Sequence, residues 1–250
     1  GKSTTTGCGN VFMGMEAGCL NTTGEFNNFL GFKAGIGNTT GNRNNFLGVN
    51  AGRCNTTGSY NNFFGGNAGL TNSTGNSNTF IGRSAGCSNT TGGCNTFIGE
   101  NSGRVNTTGN SNNFLGLNAG FSNTTGANNI FVGSCAGYSN TSGDANVFLG
   151  GNAGKCNTTG KWNFAVSSFA LNSNESGNYN VAIGRRAGVG YTGSNGIFIG
   201  AEAGRCSLDG EHNIHLGFYA GCCTTGCHNN FFGDRAGCRN TSGCNNNFSG

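Results

Sequence analysis

Phenylalanine recurs every 17 residues from Phe12 to Phe148, at Phe12, Phe29, Phe46, Phe63, Phe80, Phe97, Phe114, Phe131 and Phe148. Around it runs a unit that reads Asn-x-Phe-(Leu/Ile/Phe/Val)-Gly-x-x-Ala-Gly-x-x-Asn-Thr-Thr-Gly-x-x, whose positions are numbered here as slots 1 to 17. Units start at Asn10, Asn27, Asn44, Asn61, Asn78, Asn95, Asn112, Asn129 and Asn146 without a slip. A unit this short cannot bury its own apolar face, so it must stack on its neighbours, and the period decides the architecture before any other feature does.

The strand signal lies in slots 1 to 5: side chains that alternate in direction, aromatic or aliphatic residues, and a glycine stop. The sequence therefore predicts an all-β fold, a parallel β-roll or β-solenoid of about fifteen stacked 17-residue coils spanning residues 1–250 as one repeat array. Stacking in parallel register sets identical slots ~4.8 Å apart, so the complete repeats predict a rod of roughly 70 Å. Phe then stacks on Phe, and slot 4 residues such as Leu30, Leu47, Ile81, Ile98 and Leu115 on one another. Asparagine at slot 1 is placed for an amide ladder. Helix is disfavoured, because glycine recurs at slots 5, 9 and 15 and costs ~1 kcal/mol at each interior helix position. Most charges, among them Glu16, Glu25, Arg53, Arg104, Lys155, Glu202 and Glu211, fall at slots 6–7, 10–11 or 16–17 and are expected to face solvent.

Glycine supplies 50 of 250 residues, proline none and charged residues 9%. Glycine does not fall on every third position, which excludes a collagen-type helix. The fixed Phe and aliphatic slots argue against a disordered low-complexity chain. A net charge of +4 gives no argument for a nucleic-acid partner, and no apolar run is long enough to span a membrane. The chain opens inside a repeat at Thr5-Thr6-Gly7 and closes inside one at Phe248-Ser249-Gly250, as expected of an internal piece of a longer protein.

Three coils break the pattern. In the coil of residues 163–179, Ala165 replaces the Phe, Ser167 and Leu171 replace the glycines of slots 5 and 9, and Phe164 and Phe169 take neighbouring slots. The coils of residues 180–195 and 213–228 are one residue short, and both losses fall in the Asn-Thr-Thr-Gly segment. Exposed turns tolerate such losses and packed strands do not, so that segment is expected to be an outer loop.

At Asn180-Val181-Ala182-Ile183-Gly184, followed by Ala187-Gly188, the chain resembles the head repeats of trimeric autotransporter adhesins. The unit is also similar to Asn-Thr-Thr-Gly repeat arrays of bacterial surface and tail-fibre-like proteins. The resemblance implies a parallel β-roll, three chains around one axis, and binding to host surfaces or matrix. In this chain the unit is longer than the adhesin repeat, slot 3 is mostly Phe, and cysteine is abundant.

Slots 3 and 4 are both apolar but point to opposite faces of the strand. One face fills the coil; the other needs a cover, which predicts self-association as a homo-oligomer, trimer or filament. The Phe residues of slot 3, from Phe12 to Phe148, are the expected structural ladder.

Asn-x-Ser/Thr sequons recur in phase at Asn21, Asn38, Asn55, Asn72, Asn89, Asn106, Asn123, Asn140, Asn157, Asn174 and Asn240. On an outer loop they are candidate glycosylation sites; the competing reading is that Asn and Gly only make the turn. Thirteen cysteines suggest an oxidising compartment, and the odd count leaves one free or bonded to another chain. Cys87 and Cys94, Cys238 and Cys244, and Cys223 and Cys227 flank single Asn-Thr-Thr-Gly loops and are the expected disulfides, against the reading of free thiols. Cys222, Cys223, Cys227, His228 and Cys238, with His212 and His215 nearby, match no strong zinc spacing, and no metal or other cofactor is expected. The repeated Thr-Thr pairs resemble ice-binding solenoids. Nothing forms a catalytic constellation, so an enzyme is the weakest reading. The sequence thus points to a structural extracellular, cell-surface or virion fibre, stalk or adhesin. Its expected partners are further copies of itself and a host-surface or matrix receptor, with no nucleic acid and no membrane insertion.

Overall fold

The structure is a computed structural model and describes residues 2–208 and 210–250. It is an all-β parallel solenoid with fifteen strands of three residues each and no helix among the described residues. The chain divides into two compact units, Gly1–Ala127 and Asn128–Gly250. The first holds β1 (Val11–Met13), β2 (Asn28–Leu30), β3 (Asn45–Leu47), β4 (Asn62–Phe64), β5 (Thr79–Ile81), β6 (Thr96–Ile98) and β7 (Asn113–Leu115). The second holds β8 (Ile130–Val132), β9 (Val147–Leu149), β10 (Phe164–Val166), β11 (Val181–Ile183), β12 (Ile197–Ile199), β13 (Ile214–Leu216), β14 (Asn230–Phe232) and β15 (Asn247–Ser249). Within each unit the strands pair in chain order, parallel and slot against slot: Phe29 faces Phe46, Phe46 faces Phe63, and Ala165 faces Ala182.

A three-residue strand is too short to hold a sheet. Here nearly the whole coil is laddered, not only the strand. Gly35 N–H reaches the Ala51 carbonyl at 2.9 Å, Thr39 N–H the Thr56 carbonyl at 2.9 Å, and Gly48 N–H the Leu30 carbonyl at 2.8 Å. Each coil therefore satisfies its backbone against the coils above and below, which is why the fold needs repetition.

The interior is narrow and built from four slots. Slot 1 Asn, slot 3 Phe, slot 8 Ala and slot 12 Asn are 0% exposed in most coils, for example Asn44, Phe46, Ala51 and Asn55. The rings of Phe46, Phe63, Phe80 and Phe97 stack at centroid spacings of 4.8 Å, the strand spacing itself. Phe12, on the first strand, is half-buried. The slot 4 side chains point outward: Ile81 is 38% and Ile98 37% exposed.

Slots 3 and 9 are complementary in size. A Cβ placed on Gly52 would lie 2.4 Å from the Phe46 ring, and one on Gly86 2.4 Å from the Phe80 ring. The coil of residues 163–179 reverses this pair, with Ala165 at slot 3 and Leu171 at slot 9, both fully buried. Phe164, in the slot beside Ala165, points out and is 38% exposed. The next coil carries Ala182 at slot 3 and uses Tyr191, fully buried at slot 12, with its ring edge-on to Phe198 at 4.7 Å.

Not every corner is a glycine. Slots 7 and 17 also adopt left-handed backbone, at Asn50 (φ 57°), Asn67 (φ 61°), Tyr60 (φ 62°) and Trp162 (φ 55°). Asparagine is among the residues that accept this region most readily, which accounts for its frequency at slot 7.

Candidate functional site

The expectation that Asn-Thr-Thr-Gly forms an outer loop is corrected by the structure. Asn21, Asn38, Asn55, Asn72, Asn89, Asn106, Asn123, Asn140, Asn157 and Asn174 are all fully buried, and Asn240 is half-buried. Their amides are consumed inside. Asn55 Nδ2 donates to Asn38 Oδ1 at 2.7 Å and to the Gly58 carbonyl at 2.9 Å. The slot 1 amide arrives at the same carbonyl from the other side, Asn44 Nδ2 to Gly58 O at 2.8 Å. Asn27 Oδ1 in turn accepts the Asn44 backbone N–H at 3.0 Å. Two parallel amide ladders thus meet at the slot 15 carbonyl. That glycine is required by close approach, since a Cβ on Gly58 would sit 2.4 Å from Asn55 Oδ1 and 2.5 Å from the Gly75 carbonyl oxygen. Among the sequon residues only slot 14 is fully outside, as at Thr40, Thr57 and Thr74. A glycosyl transferase therefore has no access to the buried asparagines of the folded coil.

The shortened coils show why the deletion misled. Tyr191 fills the slot 12 position of the coil at 180–195 and closes the turn by donating its hydroxyl to the Ser194 carbonyl at 2.8 Å. Burial raises its pKa above the ordinary phenol value. Thr224 takes the slot 12 position at 213–228 and is fully buried, but its hydroxyl has no hydrogen-bond partner. The ladder has inward substitutes where it loses a residue.

The loop disulfides are likewise corrected. All thirteen cysteines are free, including Cys87, Cys94, Cys223, Cys227, Cys238 and Cys244. The segment between slots 10 and 17 is an inward corner that pairs along the stack, not a hairpin that returns the chain. Thr90 N–H bonds to Thr107 O at 2.9 Å, and Cys94 N–H to Asn76 O at 3.0 Å. Burial pushes the Cys87 thiol up. Cys222 is pushed up to about 12 by burial, then by its neighbour Cys223.

Besides Tyr191, two buried ionisable groups stand in the second unit. Glu202, expected to face solvent, is 2% exposed. Its carboxylate lies 3.2 Å from Arg185, 3.8 Å from Arg186 and 3.3 Å from Arg205, so three guanidinium groups cover it and tie adjacent coils. His215 takes a Phe slot, fully buried, edge-on to Phe198 at 5.3 Å and stacked on Phe231 at 5.0 Å. Neither ring nitrogen has a hydrogen-bond partner. Burial lowers its pKa from 6.5 to about 4. The unfolded chain then binds a proton that the folded chain refuses, so stability is complete above pH ~6.5 and falls as pH drops toward ~4. The loss is about 3 kcal/mol, at 1.36 kcal/mol per pKa unit. Chemical denaturation across this window should show the loss, and His215→Phe should remove it; a wild-type profile flat from pH 7 to pH 4 would contradict the assignment.

Among the described residues no three His, Cys, Asp or Glu side chains converge as a metal would require. A hollow at the open end of the last coil is lined by Arg235–Asn240 and Asn247–Gly250.

Among the outward features are a strand face and a hydroxyl row. From β2 to β7 slot 2 of that face is polar (Asn28, Asn45, Asn62, Thr79, Thr96, Asn113), beside apolar slot 4 residues, whereas β1 carries Val11 there. From β8 to β13 slot 2 is apolar as well: Ile130 beside Val132, Val147 beside Leu149, Phe164 beside Val166, Val181 beside Ile183, Ile197 beside Ile199, and Ile214 beside Leu216; β14 and β15 return to asparagine at Asn230 and Asn247. Several are more than a third exposed, including Ile130 at 39%, Phe164 at 38% and Ile199 at 39%. No family model, curated protein or solved structure matches the chain.

Proposed function

We propose that this chain is a structural segment of an extracellular fibre, stalk or adhesin, and that it self-associates through the outer strand face of its second unit. The observation that carries the reading is the doubled apolar face from Ile130 to Leu216, where slots 2 and 4 are both aliphatic or aromatic in six consecutive strands. A contiguous exposed apolar stripe of that kind is a mark of an interaction surface. The occupant is a second copy, because a flat, regularly spaced ridge is matched best by the same ridge, and further copies extend it to a trimer or filament. The buried asparagine and phenylalanine side chains are occupied in holding the coils together, which supports a structural role for the segment. The resemblance of Asn180–Gly184 to adhesin head repeats supports a place on a cell surface or virion and a host-surface or matrix receptor.

Sedimentation velocity over a range of concentrations, with electron microscopy of the same samples, tests this. The wild type should assemble, and Ile183→Lys with Ile199→Lys should leave a folded monomer. A wild type that stays monomeric at every concentration would sink the proposal. One observation favours a second reading: slot 14 presents an exposed threonine row through Thr23, Thr40, Thr57, Thr74 and Thr91. Thermal hysteresis from the monomeric variant would favour an ice-binding surface instead.

A further inference from the structure

We propose that Cys206 and Cys223, Cys222 and Cys238, and Cys227 and Cys244 are thiol pairs that oxidise to disulfides joining successive coils. The members of each pair occupy the same slot one coil apart: slot 11 for the first, slot 10 for the second, slot 16 for the third. Same-slot residues in a parallel stack lie ~4.8 Å apart at Cα, inside the ~4.4–6.8 Å that a disulfide spans. The backbone holds these registers, with Cys206 N–H on the Cys222 carbonyl at 2.6 Å and Asn245 N–H on the Cys227 carbonyl at 3.1 Å.

The sulfurs already lean along the stack. Cys227 N–H donates to Cys244 Sγ at 3.2 Å. Cys222 Sγ lies 3.6 Å from the Cys238 carbonyl oxygen. Burial raises the Cys206 thiol pKa, and its neighbour Cys223 in the next coil raises it further. Cys222 Sγ is also 3.6 Å from Cys223 Sγ, but consecutive residues are ~3.8 Å apart at Cα, short of the disulfide range. Axial closure is therefore preferred to a bond between chain neighbours. Cys206, Cys223 and Cys244 are exposed and the other three half-buried, so a small oxidant can reach every pair.

The same chain contains its own control. Cys8, Cys19, Cys54, Cys87, Cys94, Cys135 and Cys156 have no cysteine in the same slot of an adjacent coil. Each is expected to stay a thiol under conditions that close the three pairs.

The oxidant is a small-molecule disulfide such as glutathione disulfide. One cysteine thiolate attacks it, forming a mixed disulfide and releasing one glutathione thiolate. The paired cysteine then attacks the mixed disulfide and releases the second. Two protein S–H bonds are lost, one S–S bond forms, and both protons end on the two released glutathione thiols.

The test uses the full chain, reduced and folded, then equilibrated at low protein concentration with glutathione disulfide. Remaining thiols are alkylated in acid, and non-reduced peptides are read by mass spectrometry. The expected result is links Cys206–Cys223, Cys222–Cys238 and Cys227–Cys244, with alkylation of the other seven cysteines, and a melting temperature that rises on oxidation. Cys244→Ser should delete the third link alone and leave Cys227 alkylated. Links Cys223–Cys227 or Cys238–Cys244, a Cys222–Cys223 link, or alkylation of all thirteen thiols would each overturn the proposal.

Discussion

Replacing Phe80 with alanine is expected to destabilise the first unit by ~3–5 kcal/mol, the usual cost of truncating a buried aromatic ring. Phe80 is fully buried, with the Phe63 and Phe97 rings at 4.8 Å on either side. Its removal opens a gap that neither neighbour can fill without leaving register. Each coil touches only the coils beside it, so the loss should appear as weakened coupling between the two halves of the unit. Urea unfolding monitored by circular dichroism measures it, with Thr91→Ala at exposed slot 14 as a reference expected to move by less than ~0.5 kcal/mol. The coil at 163–179 supplies a rescue. Phe80→Ala combined with Gly86→Leu copies the Ala165 and Leu171 pair, whose leucine tolerates φ 48°. The double variant should recover part of the loss. A midpoint unchanged by Phe80→Ala would mean the ring is not inside.

The second large effect is expected from Asn72→Leu. Asn72 Nδ2 donates to Asn55 Oδ1 at 2.9 Å and to the Gly75 carbonyl at 3.0 Å, while Asn72 Oδ1 accepts from Asn89 Nδ2 at 2.7 Å. Leucine has similar bulk but leaves Asn55 Oδ1 and one Asn89 N–H stranded in the interior. Each buried unsatisfied group costs ~1–3 kcal/mol, so the sum is ~2–6 kcal/mol. If the segment were an outer turn, as its composition suggests, the same change would be nearly silent. Denaturant midpoints of Asn72→Leu and of the neighbouring Thr74→Leu, at exposed slot 14, separate the two outcomes.

The contrast between these residues shows what the sequence could and could not reveal. The Phe period, the glycine stop at slot 5 and the small slot 8 together point to a stacked strand, because a 17-residue unit can bury its ring only against the next unit. The burial of slot 12 was not legible. Asn-Thr-Thr-Gly has turn chemistry when read along the chain, and its partner is the same asparagine one coil away. Cysteines misled for the same reason. Cys87 and Cys94 are close in sequence, yet spatial neighbours in this fold are separated by one full coil. The shortened coils pointed to an exterior because the reading counted residues and not volume, and the Tyr191 ring makes up the volume inside. Glu202 gave no signal of burial at a slot that is mostly half-buried; the nearby Arg185, Arg186 and Arg205 were the available hint. The apolar drift of slot 2, from Asn28 to Ile130, is visible in the sequence once the strand face is known to point outward.

The most direct test of the stacked-coil architecture is a set of distances within the first unit. Spin labels carried on a non-natural amino acid, which spares the native thiols, can be placed at the exposed slot 14 positions Thr23 and, in turn, Thr74, Thr91 and Thr108. Pulsed electron paramagnetic resonance should give separations of ~14, ~19 and ~24 Å, rising by one strand spacing for each added coil. Distances that fail to rise in equal steps, or that do not differ between the three pairs, would contradict the in-register stack.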